Sequence, residues 1–333
     1  MRAAVIGAGS FGTALSYILG GKGIDVRLWA REEAVCTGIN EQHHNPHYLT
    51  DVRLPDTIEA TSSFQEALEG AELVVSATPS QVARQVFEHA APFLPRDVPI
   101  VTASKGIEEE TLRTPTEVLE DVLPPHYHPY LAVLSGPSFA KEVVHGAPTA
   151  VTAAANWIRV AEQVQEAFSA PTFRCYTSHD VVGVQLGAAL KNVMAIGSGI
   201  VDGLGFGHNA RAALITRGLA EMTRMAVAHG ANPITLMGLA GLGDLVLTCT
   251  GELSRNRTVG FELGRGRKLP EILESLGQVA EGVKTSRSAL ALARKLGVDA
   301  PITEQVHAIL HEDKDPHQTV VELMTRVPKP EFR

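Results

Sequence analysis

Three glycines near the start of the chain have the spacing that brings a protein backbone close to a phosphate. Gly7, Gly9 and Gly12 form a GxGxxG pattern between an apolar run and a helical one, Thr13–Leu19. The first glycine allows a tight turn, the second lets the backbone approach a pyrophosphate, and the third lets the helix pack closely on the strand. The N–H groups that begin the helix then face the anion. This context predicts a dinucleotide-binding turn rather than a tight turn without a ligand.

The residues after the second predicted strand bear on which nicotinamide cofactor binds. An acidic residue there would bind the ribose 2′-hydroxyl of NAD, whereas an arginine accommodates the 2′-phosphate of NADP. Arg31 comes first in this sequence and Glu32 follows it. We therefore predict NADP or NAD as the cofactor, with NADPH preferred. The alternative is that Arg31 is an ordinary exposed arginine.

Lys191 is the one charged residue in the long stretch Val181–Val201, which is rich in alanine and glycine. A helix that is apolar nearly all round is typically buried, and a buried lysine needs an anionic partner or a lowered pKa. Such a lysine can transfer a proton during carbonyl–alcohol interconversion; the alternative is that its stem carries the ammonium to solvent. Asp244, which follows a glycine-rich turn, is expected to pair with Lys191, to hold a substrate hydroxyl, or to cap a helix.

Polar clusters follow three of the predicted strands, at Ser76–Ser80, Ser104–Gly106 and Ser135–Lys141. Ligands of open α/β sheets bind beyond the carboxyl ends of the strands, so these clusters are candidate site residues, although each taken singly is an ordinary turn. Lys105 would lie near the cofactor and face an anionic substrate. The segment Ser254–Arg257 has two guanidinium groups and two neutral donors, which suits a phosphate; a solvated basic turn is the alternative.

Two patterns resemble metal sites only superficially. The segment His43–His47 has three histidines, but their spacing matches no structural zinc site and Pro46 breaks any helix there. The cysteines Cys36, Cys175 and Cys249 are far apart and have no metal-binding spacing. We predict no metal, no disulfide framework and a reducing compartment.

The elements that must position these residues change in character along the chain. In the first half, β-rich runs alternate with helical patterns, which indicates βαβ units and a parallel sheet. From Asp180 onward the periodicity is helical, with no convincing strand. We predict an α/β fold with two parts: a Rossmann-type dinucleotide-binding domain with a doubly wound sheet, residues 1–178, and an all-helical substrate-binding domain, residues 179–333. The predicted strands are Ala3–Ile6, Asp25–Trp29, Glu72–Ala77, Pro99–Ala103, Tyr130–Leu134 and Thr149–Ala153, and the further predicted helices are Ser80–Ala91, Thr116–Val122, Ala210–His229, Leu269–Leu276, Lys284–Leu296 and Thr303–Leu310.

Composition excludes several classes of protein. The 333 residues are 44% hydrophobic and 20% charged, which provides a sizeable core and excludes wholesale disorder. A net charge of −8 disfavours a nucleic-acid partner. The uncharged stretch Ala3–Gly21 is too rich in glycine and hydroxyl side chains for a membrane span. We predict a cytoplasmic protein with no integral membrane segment, and the apolar faces of the helical domain favour a homodimer.

Taken together, the motifs closely resemble the bacterial NAD(P)-dependent glycerol-3-phosphate dehydrogenases, nearly from end to end. The motifs that carry the resemblance are Gly7–Leu15, Ser104–Gly106, Ser135–Glu142, Val184–Val193, Gly205–Arg211, Ala240–Leu245, Ser254–Arg257 and Ala280–Gly282. The resemblance implies interconversion of sn-glycerol 3-phosphate and dihydroxyacetone phosphate with NAD(P)H, in the reductive direction supplying glycerophospholipid synthesis.

The resemblance also implies roles for individual residues. Lys191 is similar to the proton donor and acceptor of the family. The implied contacts to the phosphorylated substrate are Lys105, Gly136, Ser138, Lys191, Asp244, Ser254, Arg255 and Asn256, and the implied cofactor contacts besides the glycines are Ser10, Phe11, Arg31, Lys105, Ala140, Arg255, Val279 and Glu281. Two departures stand out: Phe11 where Tyr or Trp is common, which keeps an aromatic ring, and Arg31 where many members have His.

Two rival functions remain open at this point. A ketopantoate or 3-hydroxy acid dehydrogenase would have a similar two-part build and would use Ser254–Arg257 for a carboxylate. A non-catalytic dinucleotide sensor would share the Rossmann half, but it would need neither Lys191 nor Asp244. Competition between substrates in an activity assay separates these hypotheses.

Overall fold

The computed structural model describes residues 1–276, 280–328 and 330–331. Its first half is built on an eight-stranded sheet with the strand order β3-β2-β1-β4-β5-β6-β7-β8. The strands are β1 (Arg2–Ile6), β2 (Asp25–Trp29), β3 (Ile58–Thr61), β4 (Leu73–Ser76), β5 (Ile100–Thr102), β6 (Leu131–Ser135), β7 (Thr149–Ala155) and β8 (Phe173–Ser178). The order reverses between β1 and β4, so a crevice opens beyond their carboxyl ends.

Helices cover both faces of this sheet and form most of the rest of the described chain. Around the sheet they are α1 (Ser10–Gly21), α2 (Glu33–Gln42), α3 (Phe64–Leu68), α4 (Ala83–Ala90), α5 (Pro115–Val122), α6 (Ala140–Val144) and α7 (Ile158–Phe168). Beyond the sheet they are α8 (Val181–Gly203), α9 (Gly207–Ala228), α10 (Pro233–Leu236), α11 (Asp244–Thr250), α12 (Arg255–Gly264), α13 (Leu269–Leu276), α14 (Glu281–Lys295), α15 (Pro301–His311) and α16 (Pro316–Met324). The predicted α/β fold with a helical C-terminal part is confirmed.

The two sides of β1 show why the sheet is doubly wound. Val5 packs in a cluster with residues of α1, α2 and α7 on one face, and Ile6 packs with residues of α3, α4 and α5 on the other. Successive side chains of a strand point to opposite faces, so an apolar run such as Arg2–Ile6 is buried only when helices lie on both sides. This is the burial that the near-continuous apolar strands predict.

The predicted parallel sheet is confirmed for most of the strands, but one pair near an edge is antiparallel. Strands β1 to β6 run parallel to one another. β7 runs antiparallel to β6, and β8 runs parallel to β7. The one helix in the connection from β6 to β7 is α6, whose five residues rise about 7.5 Å. A strand of seven residues such as β7 spans about 23 Å. Because α6 cannot carry the chain back along the sheet, β7 starts at the edge where β6 ends.

Two strands that the sequence analysis did not predict, β3 and β8, lie at the two edges of the sheet. β3 has four residues, and both strands alternate buried and exposed side chains along most of their length. Edge strands need only one buried face, so they lack the continuous apolar run that marks the central strands. Neither β3 nor β8 therefore has the sequence pattern from which a buried strand is predicted.

The longest helix, α8, carries the chain from the sheet into the helical part. Its first turn packs at Val184 against Val133 of β6 and Ala154 of β7. Farther along, glycines of both helices bring the backbones of α8 and α12 together. A Cβ atom on Gly199 of α8 would overlap with the Arg257 carbonyl oxygen, and one on Gly260 of α12 would overlap with the Ile196 carbonyl oxygen. Only glycine lets two helix backbones approach so closely, and we call this contact of α8 with α12 the glycine seam.

Two stretches of the described chain are long and apolar enough to cross a membrane if length and composition are the only criteria, Val181–Gly203 and Pro233–Thr250. The most apolar window of Val181–Gly203 is completely buried inside the protein. A core helix of a folded protein passes the same test, so these two stretches are weak evidence for a membrane span.

Candidate active site

The glycine-rich turn between β1 and α1 has the three properties that its spacing predicts. Gly7 has a φ of +116°, and a Cβ atom there would lie 2.8 Å from the Ala77 carbonyl oxygen. A Cβ atom on Gly12 would overlap with the Gly7 carbonyl oxygen, whereas no atom lies within 4 Å of the corresponding position on Gly9. The turn is therefore closed on the protein side and open at Gly9, where a phosphate can approach the backbone.

The end of β2 lies beside this turn, because the Gly7 N–H donates to the Trp29 carbonyl oxygen at 3.0 Å. Arg31 follows the strand with 82% of its side chain exposed, and its guanidinium forms an ion pair with Glu32 at 2.7 Å. The side chain of Arg31 is thus separate from the buried charges described below. An exposed guanidinium with a single neighbouring acid can turn toward a ribose phosphate.

Hydroxyl groups without a protein partner line the carboxyl ends of β4 and β6. Among the described residues, the buried oxygens of Ser76, Thr78 and Ser135 have no hydrogen-bond partner. Buried polar atoms are nearly always hydrogen-bonded in folded proteins. Ser76 and Ser135 end β4 and β6, so these oxygens are buried at the carboxyl edge of the sheet.

Lys191 is buried, with 6% of its side chain exposed, and the Asp244 carboxylate lies 3.2 Å from its ammonium. The other oxygen of Asp244 lies 2.8 Å from the ammonium of Lys105. Lys105 also donates to the Gly136 carbonyl oxygen at 3.2 Å and lies over the ring of Phe11, 5.6 Å from its centroid. One carboxylate thus joins two lysines from different parts of the chain, beside the glycine-rich turn.

Two further partners of Lys191 are residues to which the sequence analysis assigned no role. The Lys191 ammonium donates to the Thr248 hydroxyl at 2.8 Å and to the side-chain oxygen of Asn192 at 3.2 Å. The Thr248 hydroxyl in turn donates to the backbone carbonyl oxygen of Asp244 at 2.6 Å. Thr248 lies four residues after Asp244 on α11, and this spacing places both on one helix face. That spacing was the signal that could have identified Thr248.

A π-helical turn, Leu239–Gly243, leads directly into Asp244. Such wide turns are rare and are found frequently at functional sites. A Cβ atom on Gly187 of α8 would lie 2.6 Å from the Ala240 carbonyl oxygen. The close approach brings the wide turn against α8, one helical turn before Lys191, and so brings the carboxylate to the lysine.

Burial has the largest effect on the ionisation of Lys191 and lowers the pKa of its ammonium to about 8. The Asp244 carboxylate opposes the shift by favouring the charged form, and the Lys105 ammonium adds to it. The pKa of a lysine that exchanges protons near neutral pH has to lie close to the working pH. The environment of Lys191 moves the pKa in that direction.

The start of α12 forms a second cluster of polar groups. The Ser254 hydroxyl accepts a hydrogen bond from the Arg257 N–H at 3.2 Å and so caps the helix. Asn256 accepts from the Gly282 N–H at 3.0 Å through its side-chain oxygen, and this bond fixes the orientation of the amide. Arg257 is turned away from this cluster, because its guanidinium pairs with Asp202 at 2.7 Å. Arg257 of the predicted basic turn is therefore occupied by a contact within the protein.

The other predicted contacts surround these clusters. Ser138 is buried and donates to the Gly136 carbonyl oxygen at 3.0 Å. Burial raises the pKa of the Glu281 carboxyl, while the nearby Arg255 guanidinium and the Ser80 N–H oppose that rise. The structure therefore places Glu281 close to the start of α12 and to the end of β4.

The remaining three predicted contacts are less closely tied to the buried charges. Ser10 is the first residue of α1 and Ala140 the first of α6, so each begins a helix at the carboxyl edge of the sheet. Val279, predicted to contact the cofactor, lies outside the described residues.

These features fit a nicotinamide dinucleotide. The backbone is open at Gly9, and α1 begins at the turn with no acidic residue in its first turn. Such a helix start stabilises a pyrophosphate.

The chain matches one enzyme family along almost its whole length. The N-terminal domain of the NAD-dependent glycerol-3-phosphate dehydrogenases matches residues 2–161, and the C-terminal domain of the same enzymes matches residues 180–321. The chain belongs to this family. The resemblance carried by the sequence motifs is thereby confirmed, and so is the prediction of an NAD(P)-dependent dehydrogenase.

Individual relatives agree with the family match. The glycerol-3-phosphate dehydrogenase [NAD(P)+] of Myxococcus xanthus is 62% identical over 332 residues, which cover 100% of this chain and 99% of the relative. The crystal structure of glycerol-3-phosphate dehydrogenase from Coxiella burnetii superposes with a TM-score of 0.92 at 41% identity, covering 98% of this chain and 99% of that one.

A ketopantoate reductase from Ralstonia eutropha shares the fold with this chain. It has a TM-score of 0.63 at 18% identity, and the match covers 96% of this chain and 100% of the other. At that identity the likeness extends to the fold alone. The rival assignment to ketopantoate therefore has far weaker support than assignment to the glycerol-3-phosphate dehydrogenase family.

Proposed function

We propose that this protein reduces dihydroxyacetone phosphate to sn-glycerol 3-phosphate, with NADPH preferred over NADH, and that Lys191 carries the proton of the reaction. The observation that carries the proposal is the buried Lys191–Asp244–Lys105 cluster at the carboxyl edge of a dinucleotide-binding sheet. The glycerol 3-phosphate produced would supply glycerophospholipid synthesis, in the cytoplasm. The domain division after residue 178 fits the end of β8 at Ser178 and the start of α8 at Val181.

The start of α12 holds the substrate phosphate. Arg255 and Asn256 are the first two residues of the helix, where N–H groups and the positive end of the helix dipole favour an anion. The Gly282 N–H fixes the amide of Asn256 so that its nitrogen donates to the phosphate. Ser254 holds the first turn in place as its cap. Binding energy from the phosphate thus orients the reacting carbon.

Lys191, Asp244 and Lys105 act at the other end of the substrate. The nicotinamide, when bound, supplies the hydride that adds to the carbonyl carbon. Lys191 donates a proton to the carbonyl oxygen as negative charge develops there, and the carboxylate of Asp244 holds the ammonium in position. Lys105 binds the end of the substrate that carries the free hydroxyl group, and the Gly136 carbonyl and Ser138 lie close by. In the oxidative direction Lys191 accepts the proton.

The cofactor is held by the other half of the site. The open turn at Gly7, Gly9 and Gly12 would bind the pyrophosphate together with the start of α1. The further cofactor contacts that we propose are Ser10, Phe11, Arg31, Lys105, Ala140, Arg255 and Glu281.

The proposed reaction is tested with purified protein, dihydroxyacetone phosphate and the absorbance of the reduced nicotinamide, with NADPH and NADH in parallel. Oxidation that depends on the substrate and proceeds faster with NADPH supports the proposal. Absence of oxidation by folded protein that binds nucleotide would reject the substrate, and ketopantoate and 3-hydroxy acids with their oxo forms would be tested next.

Removal of the Arg31 guanidinium should reduce the preference for NADPH. We expect Arg31→Ala to lower the ratio of kcat/KM for NADPH over NADH by about 10-fold, because one hydrogen-bonded charge contact to the 2′-phosphate is lost. Steady-state kinetics with both cofactors measure the ratio. Arg53→Ala is a suitable control and should leave the ratio unchanged, since Arg53 is also an exposed arginine paired with a nearby acid, Asp56. An unchanged ratio in Arg31→Ala would show that NADP selectivity lies elsewhere.

Removal of the Arg255 guanidinium should weaken substrate binding. We expect Arg255→Ala to raise the KM for dihydroxyacetone phosphate by about 10- to 100-fold, with a smaller change in kcat, because a charged hydrogen bond to the phosphate is lost. Inhibition by inorganic phosphate should weaken in parallel. Arg257→Ala, two residues along the same helix, removes a guanidinium that pairs with Asp202 and should leave the KM within about 2-fold. A normal KM in Arg255→Ala would remove Arg255 from the phosphate site.

We also propose that the protein forms a homodimer. Large apolar side chains are exposed on the helical part, and they include Ile234, Met237, Val321, Met324 and Val327. Exposed apolar surface of this kind is common at sites of association. Light scattering of the purified protein measures the oligomeric state.

A further inference from the structure

The histidine-rich segment His43–His47 has no role in the reaction proposed above, and within the described chain no three His, Cys, Asp or Glu side chains are grouped to hold a metal ion. The Nδ1 atom of His44 lies 2.7 Å from the Gln42 carbonyl oxygen, which is a local contact. The residue of this segment that reaches the glycine-rich turn is Asn45. Its side chain is completely buried.

All the hydrogen-bonding capacity of the Asn45 side chain is used, and it joins two loops. Its oxygen accepts from the His47 and Tyr48 N–H groups at 3.0 and 3.1 Å. Its nitrogen donates to the Ala8 carbonyl oxygen and to the Thr13 hydroxyl oxygen, both at 2.9 Å. Since the oxygen and nitrogen of this amide have distinct partners, the orientation of the side chain is determined.

The Ala8 carbonyl belongs to the peptide that precedes Gly9, the open position of the turn. Thr13 also donates to the Ala8 carbonyl oxygen, at 3.3 Å. In a trans peptide the C=O and the following N–H point in opposite directions, and no cis peptide is present in the described chain. The side chains of Asn45 and Thr13 hold the Ala8 oxygen on their own side of the turn, so the Gly9 N–H points away from them.

We infer that Asn45 is a positioning residue for the cofactor: it holds the peptide between Ala8 and Gly9 so that the Gly9 N–H faces the pyrophosphate. The inference rests on the proposed function, because it assumes that the turn binds a nicotinamide dinucleotide. The Thr13 hydroxyl shares this role. The segment after α2 therefore contributes to nucleotide binding through an amide group, and its imidazoles are not required.

The test is a fluorescence titration of the whole protein with NADPH, without substrate, combined with thermal melting without nucleotide. Asn45→Asp keeps the size of the side chain and one oxygen for the His47 and Tyr48 N–H groups, but it places an oxygen against the Ala8 carbonyl. We expect the Kd for NADPH to rise at least 10-fold. Because the new charge could itself repel the pyrophosphate, Thr13→Val is the uncharged second variant, and its Kd should rise about 3- to 10-fold.

Asn40 provides a matched control in the same region. Its side chain also makes two hydrogen bonds to backbone, donating to the Ala60 carbonyl oxygen at 2.9 Å and accepting from the Ala60 N–H at 2.7 Å. Ala60 lies in β3, away from the glycine-rich turn. Asn40→Asp should lower the melting temperature but leave the Kd for NADPH within 2-fold of the wild type.

The outcomes separate the inference from the proposed function. Weaker NADPH binding by Asn45→Asp and Thr13→Val, but not by Asn40→Asp, supports the positioning role. Wild-type Kd values in Thr13→Val and in folded Asn45→Asp would overturn it, and so would an equal loss of binding in Asn40→Asp. If Asn45→Asp does not fold, Thr13→Val decides. If the wild-type protein binds neither NADPH nor NADH, the proposed function fails and the inference fails with it.

Discussion

Replacement of Lys191 by alanine should lower the turnover number for dihydroxyacetone phosphate reduction by about 10²- to 10⁴-fold, since the proton donor is lost. The fold should survive, because the buried carboxylate of Asp244 keeps Lys105 as a partner at 2.8 Å. Binding of NADPH should also survive, because Lys191 lies on α8 and the glycine-rich turn precedes α1. Steady-state kinetics and a nucleotide titration on the same preparation measure the two properties.

The pH dependence adds a second readout for Lys191. Its pKa is lowered to about 8, so the ammonium is protonated below that pH and can act as the donor. Reduction by the wild-type enzyme should therefore slow as the pH rises through about 8, and oxidation of glycerol 3-phosphate should accelerate over the same range. Lys191→Met, which keeps most of the side-chain volume, should lose both the rate and this pH dependence. Unchanged turnover in either variant would remove Lys191 from the mechanism.

Replacement of Asp244 by asparagine should affect both catalysis and stability. An opposite charge this close shifts a pKa by about one to three units, so removal of the carboxylate should lower the pKa of Lys191 further below its value of about 8. The decline of the reduction rate with pH should move down by about the same interval. Because the protonated fraction of Lys191 falls with its pKa, turnover at pH 7.5 should fall by about 3-fold for a drop of one unit and about 200-fold for a drop of three units. The variant also leaves two lysines without their shared partner, which should lower the free energy of unfolding by about 3–5 kcal/mol.

Asp202 gives a control for the Asp244 prediction. It also joins two cations, because it pairs with Arg257 at 2.7 Å and with Arg211 at 3.1 Å, but it lies outside the lysine cluster. Asp202→Asn should lower the free energy of unfolding without moving the pH profile. If Asp244→Asn keeps the wild-type pH profile, Asp244 does not control the ionisation of Lys191.

Much of this site could be predicted from the sequence because several of its parts are recognisable from short stretches of the chain. The glycine spacing that begins at Gly7 follows from backbone geometry at one turn, and a charged residue such as Lys191 in an apolar helix requires a partner wherever the helix lies. Polar residues after buried strands are expected at one edge because the carboxyl ends of parallel strands meet there. These inferences need only the type of element and its position in the chain.

The features that the sequence analysis missed depend on relations between distant elements. The reversal of β7 follows from the shortness of α6, which becomes visible only when the ends of the helix are known. The contact of Thr248 with Lys191 depends on the wide turn that brings α11 against α8. The carbonyl that Asn45 holds belongs to a different loop, 37 positions earlier in the chain. Such pairings arise from tertiary packing, and periodicity within a segment does not report them.

The glycine seam has a consequence for the size of the substrate. In the proposed mechanism the proton donor, Lys191, lies on α8 and the phosphate-binding residues begin α12. Glycines such as Gly199 and Gly260 allow the backbones of these two helices to come into contact. In the proposed site, the close spacing of these two helices therefore helps to set the distance between the reacting oxygen and the phosphate of the substrate. We therefore expect the site to accept a three-carbon phosphate ester, and to accept a longer homologue only if the two helices move apart.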